Sequence, residues 1–407
     1  MSGGFERGRR LIVAVSIAAA GCGMGASAAS AALPSVRIDA GRVIRDGPKV
    51  TAGLRMPGYS GRVGIELRGQ SSQMFPKKSY ALELRTAGGK DRDAPLLGMP
   101  ADADWVLYAA YNDKTLMRNV VAYETARGMG RWAAASRFVT LFLNGRYRGV
   151  YVLMERPELG EGRIDVPGQG LTGDYLLEFT FPYQAGRKGP HFRTPLKRRP
   201  IVYEDPERGD LSRREASYIR GYVARTERAL YRGRRGAWRR VLDPGSAVDY
   251  VLMQELFRNV DAFHGSTYLT KPAGGRLVLG PVWDFDLSSG NSTYGTSRAI
   301  AGWWTARRDW AGRLHRDPTF RSALRARWRE LRAGGLRRRV LAAVDRNAAV
   351  LRPAVRRNFA RWPVLNRRVW PNPAARGSFT AEVRFLRSWL SRRMHWIDRA
   401  VRAKSKP

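Results

Sequence analysis

Three short stretches, far apart in the chain, combine reactive side chains at useful spacing. The first is Arg68-Gly69-Gln70-Ser71-Ser72, followed by Pro76-Lys77-Lys78-Ser79-Tyr80. Gly69 and the serines suit a turn whose free backbone N–H groups face a phosphate, with Arg68 beside them. The spacing is not that of a Walker loop, G-x-x-x-x-G-K-[ST]. In the run that follows, alternation puts Lys78 on the face of Tyr80, Leu82 and Leu84, and Lys77 on the opposite face with Ser79 and Glu83. A lysine on an apolar face must find an anion or extend to water. Lys78 is therefore the better phosphate ligand, a solvated strand-end lysine pair being the plainer alternative.

The second stretch is Asn259-Val260-Asp261-Ala262-Phe263-His264-Gly265-Ser266, after a helix pattern and before a strand pattern. A carboxylate on such a loop is placed to act as a general base or to orient a hydroxyl. The third is Trp283-Asp284-Phe285-Asp286-Leu287. In an extended segment Asp284 and Asp286 share one face, about 6.5–7 Å apart, and can share hard cations with a phosphate chain. A solvated acidic turn is the bland alternative, and the bulky residues on the opposite face weigh against it. An early lysine, a helix, a loop aspartate and then a metal-binding aspartate is the order of parts in a protein-kinase-like phosphotransferase.

These residues need elements to position them. Period-two runs predict strands at 36–38, 63–67, 80–84, 105–108, 138–143, 150–154 and 174–179, with Asn144-Gly145 as a hairpin turn. Asp113 is placed to cap a helix over 114–129. Residues 181–211, rich in Pro, Gly and charge, read as a loop excursion. Helices follow at 212–232 and 247–259, then a hairpin with arms 267–270 and 277–286. Helices at 319–332, 336–362 and 380–400 complete the chain. The expected fold is α+β: a two-lobed, kinase-like arrangement with a mixed-strand N-lobe (36–180) and a mainly helical C-lobe. The C-lobe comprises a catalytic and metal-binding segment (212–295) and a basic helical end (296–407).

Composition sets outer limits. The chain has 407 residues, 43% hydrophobic, which argues against disorder. Its formal net charge of +38 attracts polyanions in general: anionic lipid headgroups, envelope polymers, acidic proteins or nucleotide phosphates. Arginine-rich coding composition accounts for the charge equally well. Nucleic acid is not expected as a partner, since no motif of that kind is present. A Ser–His–Asp hydrolase built on His264 lacks a G-x-S-x-G elbow. The single cysteine, Cys22, excludes an internal disulfide, and four scattered histidines give no zinc pattern. Residues 1–32 read as a signal peptide: Arg7, Arg9 and Arg10, an apolar run over 11–20, then small residues. The segment Ala19-Ala20-Gly21-Cys22 also permits a lipid anchor at Cys22, and Arg9-Arg10 permits twin-arginine export. The expected location is secreted or bound to the cell envelope.

Together the motifs resemble the CotH (spore coat protein H) kinase family. The resemblance rests on R-G-x-S-S-x-x-x-P-K-K-S-Y from Arg68, on Asp113 with Arg118-Asn119, and on Gly149-Val150-Tyr151 through Glu155. It extends through Asn259-x-Asp261, Trp283-Asp284-x-Asp286 and Asp317-Pro318-Thr319-Phe320. It implies a distant kinase fold, ATP with Mg²⁺ or Mn²⁺, and phosphorylation of exported protein. Carried over by position, Lys78 binds phosphate, Asp261 is the catalytic-loop aspartate, Asp284 is the main metal ligand with Asp286 adjacent, and Glu155 lines the nucleotide cleft. Arg118 holds Asp113 or a phosphate. One position departs: Ser266 stands where such proteins carry an asparagine on a second metal. One metal suffices, or Asp286 takes over, or activity is weakened; AMP transfer or glutamylation on the same fold, and a non-catalytic module binding envelope polyanion or glycan, stay open.

Overall fold

The computed structural model describes residues 32–166 and 170–403. The leader signals and Cys22 lie outside these residues. Seven strands come first: β1 (Ser35–Ala40), β2 (Val50–Met56), β3 (Tyr59–Arg68), β4 (Ser79–Arg85), β5 (Asp104–Tyr108), β6 (Ser136–Leu143) and β7 (Arg146–Glu155). They close into a barrel in the order β1-β2-β3-β4-β5-β7-β6, sealed by parallel pairing of β1 with β6. The alternation that predicted strands also says what fills the barrel. Val63, Ile65, Leu82, Leu84, Trp105, Leu107, Leu141 and Leu153 point inward and pack together. The β6–β7 turn is Asn144-Gly145, both at positive φ, the geometry that matches strand twist in a two-residue hairpin.

Strands β5, β6 and β7 are apolar on both faces. Val106, Phe138, Val150, Val152 and Met154 turn away from the barrel into a second, larger core. That core contains α1 (Arg118–Arg127) and a five-stranded sheet. The sheet is built from β8 (Tyr175–Phe179), β9 (His191–Arg193), β10 (Pro200–Asp205), β11 (Thr267–Lys271) and β12 (Val278–Leu279), in the order β12-β11-β8-β10-β9. Around it lie α2 (Ala185–Lys188), α3 (Arg213–Tyr231), α4 (Pro244–Phe257), α5 (Asp309–Arg316), α6 (Pro318–Ala333), α7 (Leu336–Arg361) and α8 (Phe379–Arg402). The helices start where the sequence offers caps. Ser212 and Glu215 form a capping box on α3, Asp243 caps α4 and Asp317 caps α6. Helix α4 is buried nearly all round and runs through the core.

The α+β class holds, but the layout differs from a mixed-strand lobe beside a helical one. The barrel is closed, and the helical half carries its own sheet. Residues 181–211 are not a loop: they contain α2, β9 and β10, and β10 pairs antiparallel with β8. Short strands flanked by Pro and Gly hid this pairing. β8 itself belongs to the second sheet, so residue 180 does not end a lobe. Helix α1 starts at Arg118, although Asp113 still takes its N-terminal amide (Arg118 N to Asp113 Oδ2, 2.8 Å) and pairs with the buried Arg118 guanidinium.

Glu255 of α4 ties the helical half together. It is fully buried and accepts from Trp304 N, Thr305 N and Thr305 Oγ1 at 2.7 Å each, and from Arg393 Nη2 at 2.8 Å. Burial alone would push its carboxyl up. Hydrogen bonding to His315, the charge of Arg393 and the Thr305 contact outweigh burial and hold it down to about 2. Its stabilising contribution is therefore complete above its ordinary value of 4.5 and is lost as pH falls from there toward about 2. Denaturant titrations should show this loss across that interval. Arg393→Met, which strands the carboxylate, should lower stability by about 3–5 kcal/mol at neutral pH.

Candidate active site

A cavity of about 680 Å³ opens between the end of β3, helix α1 and the two loops that bear the acids. Helix α1 builds its floor. Asn119 and Tyr123, one turn apart, face the same way. Asn119 Oδ1 accepts from Phe285 N at 2.5 Å, and Tyr123 Oη accepts from Asp284 N at 3.3 Å. The Tyr123 ring stacks on Trp283, with centroids 5.6 Å apart. From the other side Phe285 packs edge-on against Phe257 of α4. The Asp-x-Asp segment is thus gripped by two helices, and it is not a strand. β12 stops at Leu279, and Asp284 takes a left-handed conformation at φ 59°. The predicted face-sharing of an extended segment does not apply. Instead the bend brings the Asp284 and Asp286 carboxyls within hydrogen-bonding reach of each other.

The Asp261 loop is held by its backbone. Arg308 Nη1 donates to Val260 O (2.8 Å) and Ala262 O (3.1 Å), while its guanidinium lies 4.1 Å from the Trp304 ring centroid. Asn259 Oδ1 accepts from Asp261 N at 3.3 Å. Across the cavity, Ser71–Met74 forms a short 3₁₀ turn after Arg68. Gly69 is required there: its φ is 106°, and a Cβ would sit 2.1 Å from Ser72 Oγ.

Arg68, Ser71, Ser72, Asp261, Ser266, Asp284 and Asp286 all line this one cavity. Lys78 and Glu155 do not. The Lys78 amine donates to Gln73 O, because β4 begins only at Ser79 and the turn before it presents free carbonyls. Lys77 is the buried one of the pair. It donates to Val150 O at 2.5 Å and lies over the Tyr151 ring, and burial pushes its amine down to about 7. Glu155 is buried at the end of β7, accepting from Ala135 N at 2.7 Å. These three residues bind the structure together.

Sequence reasoning missed a lysine that does reach the cavity. Lys188 of α2 lines it and is paired with Glu178 of β8, whose Oε1 also accepts from Ser266 N at 3.1 Å. Its signal in the sequence was faint: one of two lysines in a segment that reads as loop.

The three acids perturb one another. Burial, then the neighbouring Asp284, pushes Asp261 up to about 7; burial and the Asp284 and Asp261 charges push Asp286 well up, and burial raises Asp284. Hard carboxylate oxygens, buried and short of positive partners, suit Mg²⁺ or Mn²⁺. Among the described residues, the acidic trio whose ligand atoms converge within 4.8 Å lies outside this cavity: Asp102, Asp104 and Glu158. Lys49, Arg156 and Arg163 pair with its members, yet burial still pushes Glu158 up to about 7 and raises Asp104.

An acid-lined cavity thus faces a glycine-serine turn on an α+β scaffold. The family model described as CotH kinase protein matches residues 65–397, and the chain belongs to that family. No curated protein matches the chain.

Raised carboxyls hold protons in the folded state, so they cost stability as pH rises from the usual carboxylate range through about 7. A bound cation should reverse this. Thermal stabilisation by Mn²⁺ should be larger at pH 8 than at pH 6, and Asp286→Asn should reduce the shift while raising the melting temperature of the metal-free protein. An equal shift at both pH values would contradict the electrostatic reading.

Proposed function

We propose that this protein is an exported phosphotransferase that moves the γ-phosphoryl group of ATP to a Ser or Thr hydroxyl of envelope or secreted protein. The observation that supports it best is the meeting of Asp261 with Asp284 and Asp286 in one cavity, opposite the Arg68–Ser72 turn. A Mg²⁺ or Mn²⁺ ion would supply charge neutralisation on the phosphate chain. Asp284 and Asp286 would hold it. The backbone of the Arg68–Ser72 turn, Arg68 and Lys188 would hold the phosphates. Asp261, held at about 7, would orient the acceptor hydroxyl and take its proton. Ser266 contributes its backbone to Glu178 and offers only a short hydroxyl to the cavity; Asp286 offers the second carboxylate that its replacement of asparagine would otherwise leave missing. Export rests on the arginine-led apolar leader with its small-residue cleavage sites and on the option of a lipid at Cys22.

Incubation of the mature protein with γ-labelled ATP and Mn²⁺ should label itself or an added protein, while α-labelled ATP should not. Asp284→Ala should abolish labelling, and Asp261→Asn should slow it about 10²–10⁴-fold. Lys188→Met should raise the KM for ATP far more than Lys78→Met. Labelling from the α-position would make the reaction AMP transfer. Full labelling by Asp284→Ala would place the site elsewhere.

A further inference from the structure

A carboxamide oxygen is a hard, neutral ligand that adds to a pair of carboxylates without adding charge. Ser266 stands where such a ligand is expected, and its surroundings do not suit a metal. Its amide donates to Glu178 Oε1 at 3.1 Å, and both Glu178 oxygens accept from the Lys188 ammonium. Ser266 is thereby tied to a carboxylate that already carries a cation.

Among the described residues, the carboxamides lining the cavity are Gln70, Asn112, Asn119 and Gln184. Gln70 opens the 3₁₀ turn across the cavity from the acids. Asn119 Oδ1 is engaged by Phe285 N at 2.5 Å, and Gln184 Nε2 donates to Tyr183 Oη at 3.2 Å. Asn112 is different, because the fold fixes it beside Asp286. It lies on the loop from β5 to α1 and is buried. Asn291 Nδ2 donates to Asp286 O at 2.8 Å and to Asn112 O at 3.3 Å, so one nitrogen holds the two backbones side by side. Asn372 Nδ2 donates to the same Asn112 O at 2.9 Å and to Asn291 O at 3.2 Å. Both of these asparagines are buried.

The next residue anchors the loop from its other end. Asp113 accepts from Thr115 N at 3.0 Å and from Arg118 N at 2.8 Å. With their backbones locked together, Asn112 and Asp286 both present to the cavity that Asp284 lines. The Asn112 carboxamide comes within hydrogen-bonding reach of the Asp286 carboxyl. A carboxamide that donates through Nδ2 still has both lone pairs of Oδ1 to offer.

We propose that Asn112 Oδ1 is a third protein ligand to the cation of Asp284 and Asp286. It supplies from the β5–α1 loop the carboxamide that the Asp261 loop lacks at Ser266. The inference rests on the reading of the two aspartates as a cation site.

Mn²⁺ binding to the full mature chain without nucleotide, read by electron paramagnetic resonance, tests it. Asn112→Ala should weaken Mn²⁺ binding about tenfold or more, with the melting temperature of the metal-free protein unchanged. Asn112→Asp, which keeps an oxygen at that position, should hold Mn²⁺ at least as tightly as the unsubstituted chain. In protein grown with ¹³C-labelled asparagine, a ¹³C coupling to Mn²⁺ should be present and should disappear in Asn112→Asp. Undiminished affinity in Asn112→Ala would overturn the assignment, as would a coupling that is absent at the start or persists in Asn112→Asp. Asp284→Ala separates the two levels of the reading. Loss of Mn²⁺ there but not in Asn112→Ala leaves the aspartate site standing and removes only the third ligand. An unsubstituted chain that binds no Mn²⁺ overturns both.

Discussion

Burying three carboxyls around one cavity is the constraint on which the rest of this structure depends. Each acid resists leaving water, and their charges repel one another. They stay there only because neighbouring elements over-determine their backbones. Asn119 and Tyr123 grip the Asp284 segment, Phe257 backs it, and Arg308 with Asn259 fixes the Asp261 loop. The two-sided strands β5, β6 and β7 let one wall serve both the barrel and the core that holds α1. The unpaired charge that results is what a divalent cation and a phosphate chain would neutralise.

Much of this was legible in the sequence, for physical reasons. Period-two runs and Asn144-Gly145 marked six of the seven barrel strands, all but β2, and the helix over 212–232 was placed at its Ser212 cap, because caps and tight turns are local. The acids of the site were found by residue type and by order along the chain. Three things were not legible. Barrel closure depends on the parallel β1–β6 pair, a contact between distant segments. The ordering of 181–211 depends on β10 pairing with β8. Lys78 was misplaced because strand parity was extended one residue beyond the strand, into a turn whose carbonyls take up the amine.

The high arginine content also gains a partial structural account. Arg308, Arg393, Arg258 and Arg313 each donate to two or more backbone carbonyls at helix ends and loops. A guanidinium offers five donors in a fixed fork and can satisfy such carbonyls when half-buried. In a chain with one cysteine, arginine forks brace loops that no internal disulfide can tie.

The central claim is that Asp284 and Asp286 hold a divalent cation facing the Arg68–Ser72 turn. A crystal structure with Mn²⁺ and a non-hydrolysable ATP analogue, with the metal located by its anomalous scattering, tests it most directly. The account predicts Mn²⁺ bound by both aspartates, with phosphate oxygens completing its shell beside Arg68 and Lys188. Mn²⁺ held instead by Asp102, Asp104 and Glu158, or phosphates bound away from the Arg68–Ser72 turn, would contradict it.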